Sequence, residues 1–237
     1  MTGLYRERGV ILRTYKLGEA DRIVVVLTEG RGKVRAVAKG VRKTKSRFGS
    51  RLEPTSNVSL LLYEGRDLDV VNQAETIEHH PAIRADLSRL AKATAVLEAV
   101  DHVAQQDEMA SPLYRMVVGA LRALDQHDAP LLVAAFYWKL LAAEGVAPMV
   151  DVCAGCGSTG PLVAFDLTEG GALCRACRRG QALSSGSLDL LRRILGGDLS
   201  SVLAEPTGSA ELEALATTAL ESHLERRLRA AALLDHG

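Results

Sequence analysis

Two Cys-x-x-Cys pairs, Cys153/Cys156 and Cys174/Cys177, set seventeen residues apart, constrain this 237-residue chain more than any other feature. Each pair offers two thiolates from one tight knuckle, and two knuckles joined by a short hairpin complete a tetrahedral shell around a single ion. Gly155-Cys156-Gly157 suits such a knuckle; residues 163–165 and 172–173 suit the hairpin strands, with Gly170-Gly171 as the turn. The spacing predicts one structural Zn2+ held by Cys153, Cys156, Cys174 and Cys177. Four thiolates leave no open coordination position, so the ion supplies neither activated water nor a Lewis acid. Unmetallated buried thiols would require two independent pairs to arise by packing alone. A redox dithiol lacks its usual setting, because neither pair opens a helix after a strand.

The second constraint is charge. The net charge is zero, yet residues 1–51 hold 14 Lys/Arg against 4 Asp/Glu, leaving 15 basic and 25 acidic residues beyond. A polyanion is drawn to the front of the chain only. The excess peaks in residues 39–51, where Lys39, Arg42, Lys43, Lys45, Arg47 and Arg51 occur with no acid. That density opposes folding unless an anion neutralises it, and phosphate oxygens are the natural counter-charge. Phe48, inside the run, is a candidate to stack on a base. Lys33 and Arg35, two apart on a strand that Arg31 precedes, extend the basic surface onto a sheet. A mobile, solvated loop is the plainer reading of the run, and the adjoining cationic strand argues against it.

Hydrophobic periodicity divides the chain near residue 80. Before it come five short strands, at residues 10–12, 23–27, 34–38, 58–63 and 68–71, parted by Gly-containing turns and one long charged connection after the third. This pattern suits a small OB-type barrel, and an SH3-like barrel has nearly the same signature. After it the period is helical: Ile83, Leu87, Leu90, Leu97 and Val100 share a face, a helix begins at Ser111-Pro112, and another runs from Asp128-Ala129-Pro130 to before Gly145. That last one is apolar almost all round, as a buried central helix is. Leu188, Leu191 and Leu195 resume the helical period after the cysteines, and a final helix is expected from Ser209 to about Leu234. The expected class is α+β: an OB-fold barrel over residues 1–80, then a helical domain over 81–237 with a zinc ribbon inserted at about 150–180.

Several functions lose support. No uncharged stretch has the length of a membrane helix and residues 1–9 lack a signal-peptide core, so a cytoplasmic, nucleoid-associated protein is expected, with no membrane and no small-molecule substrate. Phosphate-binding loops, nucleophile elbows and His-Glu-x-x-His helices are missing. His79-His80, His102, His127, His223 and His236 have no ligand spacing with carboxylates, and Glu19 and Asp21 sit in a turn beside Arg22. The chain reads as a binding protein, not an enzyme.

Particular runs resemble a known family. Gly18-Glu19-Ala20-Asp21-Arg22, then Leu27-Thr28-Glu29-Gly30-Arg31-Gly32-Lys33, Ala38-Lys39-Gly40-Val41-Arg42-Lys43 and Lys45-Ser46-Arg47-Phe48 are similar to the amino-terminal region of bacterial RecO proteins. Leu140-Leu141 to Gly145-Val146-Ala147-Pro148, and the segments around both cysteine pairs, are similar to its later region, in the same order. The resemblance spans about residues 8–195; beyond Gly197 no motif aligns. It implies an OB fold, a helical domain and a zinc ribbon. It also implies a recombination mediator in DNA repair, which binds single- and double-stranded DNA, anneals complementary strands, and cooperates with RecR and single-stranded-DNA-binding protein to load RecA. Two other classes compete: a zinc-ribbon interaction module of transcription or ribosome-associated type acting through Arg175, Arg178 and Arg179, and an enzyme using Asp21 or Glu19 with a second metal.

Overall fold

The computed structural model describes residues 3–106 and 108–230. Five strands, β1 (Leu4–Leu17), β2 (Asp21–Thr28), β3 (Gly32–Ala38), β4 (Asn57–Tyr63) and β5 (Asp69–Glu78), close into a barrel in the order β1-β2-β3-β5-β4. Closure comes from β1 pairing antiparallel with both β2 and β4, while β3 meets β5 in parallel. Such a closed five-stranded barrel is OB-like, which decides between the two small-barrel readings. Its core follows the period of two: Val24, Val26, Val34, Ala36, Ala38, Val58, Leu60, Leu62 and Val71 point inward.

Gly9 makes the closure possible. It is partnered at once by Thr28 of β2 and Val58 of β4, where β1 passes from one neighbour to the other. A Cβ there would lie 2.5 Å from Val26 Cγ1 and 2.9 Å from Leu27 O. No larger residue fits without moving β2.

Two strands run longer than the hydrophobic pattern suggests. β1 continues past residue 12 to Leu17, and β5 past residue 71 to Glu78. Their extensions carry polar residues in alternation with apolar ones, because one side there faces water rather than a core.

Three helices follow: α1 (Pro81–Ala85), α2 (Leu87–Val103) and α3 (Ser111–Gln126). The single amphipathic face expected through Ile83, Leu87, Leu90, Leu97 and Val100 is not realised. The Asp86 carboxylate accepts from Arg89 N at 2.8 Å and starts a new helix, which resets the register. Ile83, Leu97 and Val100 are buried, but Leu87 is 81% exposed and Leu90 is also at the surface.

Among the described residues the chain packs as two compact units, one ending at Asp128 and the other beginning at Ala129. The first holds the barrel with α1, α2 and α3. The second is built on α4 (Leu132–Ala143), whose residues 132–138, 140 and 141 are all buried. Around α4 pack α5 (Ser185–Gly196), α6 (Leu199–Leu203) and α7 (Ala210–Leu224), as its all-round apolar sequence requires. The Trp138 ring meets Phe165 of the cysteine module with centroids 5.8 Å apart. α7 starts as expected, with Ser209 Oγ accepting from Leu212 N at 3.2 Å. It stops about ten residues early: Glu225 takes a left-handed conformation, φ 51°, that ends the helix at Leu224. Leu234 lies outside the described residues. No helix among the described residues is long and apolar enough to cross a membrane.

Candidate nucleic-acid interface and metal centre

The basic connection between β3 and β4 is anchored, not loose. Gly40 N donates to Asp21 Oδ1 at 2.7 Å, Arg42 N to Ala20 O at 3.0 Å, and the Arg42 guanidinium to Gly18 O at 3.3 Å. Short turns, Lys43 N to Gly40 O and Ser46 N to Lys43 O, fold the middle of the run. A 3₁₀ turn at Gly49–Leu52 then carries Phe48 and Leu52 into the barrel core.

This arrangement overturns the expectation for Phe48. Its side chain is 1% exposed and contributes to the barrel interior, so no ring face is offered to a base. An aromatic in a polar run can read as a binding residue when it is the anchor that ties the run to the core. Asp21 is likewise accounted for as the acceptor that fixes Gly40. Glu19 is exposed.

The six cations of the run, Lys39, Arg42, Lys43, Lys45, Arg47 and Arg51, are all exposed, and so is Arg35 on β3. Among the described residues none of these seven forms an ion pair with Asp or Glu. Arg51 donates to Arg47 O at 3.0 Å and Phe48 O at 3.3 Å, and Arg47 lies 4.8 Å from the Phe48 ring centroid. Those contacts orient the guanidinium groups and leave their charge uncompensated. Other cations of the same unit are neutralised locally: Arg8 by Glu29, Arg22 by Glu53, Arg31 by Glu64.

Lys33 belongs to that second set, contrary to its expected place on the basic surface. Its ammonium donates to Asp101 O at 2.6 Å and lies 3.7 Å from the Asp101 carboxylate, which is 4% exposed and also pairs with Arg13 at 2.8 Å. Lys33 and Arg13 thereby hold α2 against the barrel. Alternation along β3 correctly puts Lys33 and Arg35 on one face; it does not reveal that Asp101 of α2 reaches Lys33.

The metal centre is assembled by a small three-stranded sheet. β6 (Leu162–Asp166) lies between β7 (Gly171–Cys174) and β8 (Gln181–Ala182). The β6–β7 hairpin is the one expected; the third strand is additional. At its turn a Cβ on Gly171 would lie 2.3 Å from Met149 O, a close approach that brings the segment before the first knuckle beside β7. Backbone bonds from Gly157 N to Cys153 O and from Cys177 N to Cys174 O close the two knuckles.

The four Sγ atoms all lie within 4.8 Å of one another. Cys156 and Cys174 Sγ are 3.8 Å apart, and a tetrahedron of sulfurs about 2.3 Å from a central ion has edges of roughly 3.8 Å. Cys174 N donates to Cys153 Sγ at 3.4 Å, which, more than any other contact, lowers the Cys153 thiol to about 6. The adjoining thiols of Cys156 and Cys153 push Cys177 up to about 12. Four thiolates this close cannot coexist without a cation between them. The residues therefore fit a metal ion, and it would be structural, joining two knuckles with every ligand taken. Beside it Arg175 and Arg178 are exposed, and Arg179 pairs with Glu169.

Among the described residues this is the single group of three or more His, Cys, Asp or Glu able to converge on a metal. His80 is buried and its Nε2 has no hydrogen-bond partner among the described residues; burial, more than any other influence, lowers its pKa.

Family models extend over nearly all of the chain. The one described as recombination protein O N terminal matches residues 1–80, the barrel. The one described as recombination protein O C terminal matches residues 84–232, the helices and the cysteine module. With both halves matched in order, a barrel of OB type and four converged thiols, this chain belongs to the recombination protein O (RecO) family, whose members are DNA-binding recombination mediators of DNA repair.

Proposed function

We propose that this chain binds single- and double-stranded DNA through Arg35, Lys39, Arg42, Lys43, Lys45, Arg47 and Arg51, and anneals complementary strands without catalysing a covalent reaction. The observation that carries the reading is the exposed, anchored loop whose cations have no acidic partner among the described residues. Such groups neutralise phosphates and release condensed counterions, which lowers the repulsion between two strands. Contacts to the backbone leave base edges free, so pairing proceeds as the strands meet. In the cell, a cytoplasmic and nucleoid-associated setting follows, with RecR and single-stranded-DNA-binding protein as partners and RecA loading as the outcome. The ion held by the four cysteines is Zn2+, for which four thiolates in a closed tetrahedral shell are the preferred donor set.

The test is oligonucleotide binding and strand annealing by wild type and by Lys43→Ala/Lys45→Ala/Arg47→Ala. A marked loss of both is expected. One competing reading has an observation in its favour, the exposure of Arg175 and Arg178 next to the second knuckle. Loss of DNA binding in Arg175→Ala/Arg178→Ala, with the loop variant unaffected, would transfer the interface to the ribbon and overturn the proposal.

A further inference from the structure

The outer face of the barrel carries an apolar stripe beside the cationic loop. Register sets its composition: Arg13 of β1 stands opposite Val25 of β2, which stands opposite Arg35 of β3; one step along, Tyr15 stands opposite Ile23, which stands opposite Val37. Directly paired residues share a face, and these are on the side away from the inward-pointing Val24, Val26, Ala36 and Ala38. Toward one end of this face Val25, Leu27 and Val10 are covered, and α2 and α3 pack there. Toward the other end the described residues leave the face open: Tyr15 is 41% exposed, Leu17 is 37% exposed, and Ile23 and Val37 are only partly buried.

Tyr15 is also held in place. The Arg13 guanidinium lies 4.9 Å from its ring centroid, and Arg13 is itself fixed by its 2.8 Å bond to the buried Asp101. One side of the ring is thus occupied by a cation with a fixed position, and the ring remains substantially open to water. Exposed Arg35 and Lys39 border the stripe on the β3 side, about 10 Å away across two strand spacings. A planar apolar surface bordered by free cations matches the chemistry of an unpaired nucleotide, a stacking base joined to an anionic phosphate. An acidic peptide would meet the same cations, but an exposed ring stacked on a fixed guanidinium offers the flat face that suits a base.

We infer that Tyr15, stacked on Arg13, is a base platform for single-stranded nucleic acid, with Leu17, Ile23 and Val37 as its apolar floor and Arg35 and Lys39 meeting the flanking phosphates. The inference rests on the DNA-binding reading above and adds to it a preference for unpaired bases, which a purely electrostatic loop does not have. Duplex DNA keeps its bases stacked on each other and cannot use the platform. The platform also puts an aromatic where Phe48 had been expected to act, on an outward strand face rather than in the loop.

The test uses full-length protein and oligothymidylate carrying one 2-aminopurine, whose fluorescence is quenched when it stacks. A strand of equal length made of abasic sites serves as control. Tyr15→Ala is expected to lose the quench and to bind the base-bearing strand about tenfold more weakly, with abasic-strand and duplex affinities unchanged. Tyr15→Phe, which keeps the ring, is expected to behave as wild type. The loop variant Lys43→Ala/Lys45→Ala/Arg47→Ala should lose affinity for all three. If the loop variant is impaired while Tyr15→Ala retains quench and affinity, the platform is refuted and the DNA-binding reading survives. Equal weakening of base-bearing and abasic strands by Tyr15→Ala also refutes it, since stacking would then not be the interaction lost. If neither variant changes binding to any strand, both readings fall, and the stripe becomes a face for protein docking.

Discussion

Removing Lys43, Lys45 and Arg47 should change how binding responds to salt, and the size of the change follows from their exposure. Each side chain is solvent-exposed and has no acidic partner among the described residues, so each is free to replace one condensed counterion at a phosphate. On a single strand each contact contributes about 0.7 to the slope of log affinity against log salt, so three contacts contribute about 2. Between about 50 and about 200 mM salt, a slope difference of about 2 means the wild type loses roughly 16-fold more affinity than the triple alanine variant. On duplex DNA, at about 0.9 per contact, the corresponding figure is roughly 40-fold. The two proteins should therefore differ most at low salt and converge as salt rises. Anisotropy titrations of labelled oligothymidylate at four or five salt concentrations measure both slopes. Parallel lines, offset or not, would show that these cations do not face phosphates, and the electrostatic reasoning would fail.

Other outcomes follow from the same structure. Phe48→Ala should destabilise the fold by about 3–5 kcal/mol through the cavity it leaves, while Phe48→Leu, at a temperature where it is folded, should bind DNA as wild type does; thermal melting and anisotropy check the two halves. The protein should hold one tetrahedral thiolate-bound ion per chain, seen by metal analysis and by Co2+ charge-transfer bands, and Cys174→Ser should abolish it. Metal affinity should fall as pH falls, because protons compete for the thiols and the Cys177 proton, held up to about 12, must be displaced. His80 is buried and its pKa is lowered from 6.5, so below 6.5 the unfolded chain takes up a proton that the folded chain resists. Stability should accordingly decline as pH drops below that value, and denaturant titrations of His80→Phe should show this part of the decline removed.

How legible the site was depended on whether the chemistry was local. The cysteine spacing and the Gly170-Gly171 turn are short-range constraints, and the hairpin and the converged thiols are where they require. The concentration of cations in the β3–β4 loop was legible too, since the run holds no acid to neutralise it locally. Lys33 and Phe48 were misread for one shared reason. Each lies beside exposed cations in sequence, but Lys33 is claimed by Asp101, sixty-eight residues later, and Phe48 by the barrel interior. Tyr15 was overlooked because hydrophobic patterning ends the first strand at residue 12. The alternation Arg13-x-Tyr15-x-Leu17 was the available signal, an amphipathic strand with its apolar side toward water.

Five short barrel strands, a helical remainder, the metal knuckles and the place where positive charge concentrates are all legible in the sequence, which leaves OB-type and SH3-like closure open. Those follow from periodicity, spacing and composition, properties of neighbouring residues. Which of these cations stay unpaired is settled by packing, because ion pairing and burial depend on groups brought together from distant parts of the chain. Asp101 illustrates the difference. In sequence it is one acidic residue among many, and only when α2 packs on the barrel does it neutralise Lys33 and fix Arg13, whose guanidinium lies over the Tyr15 ring.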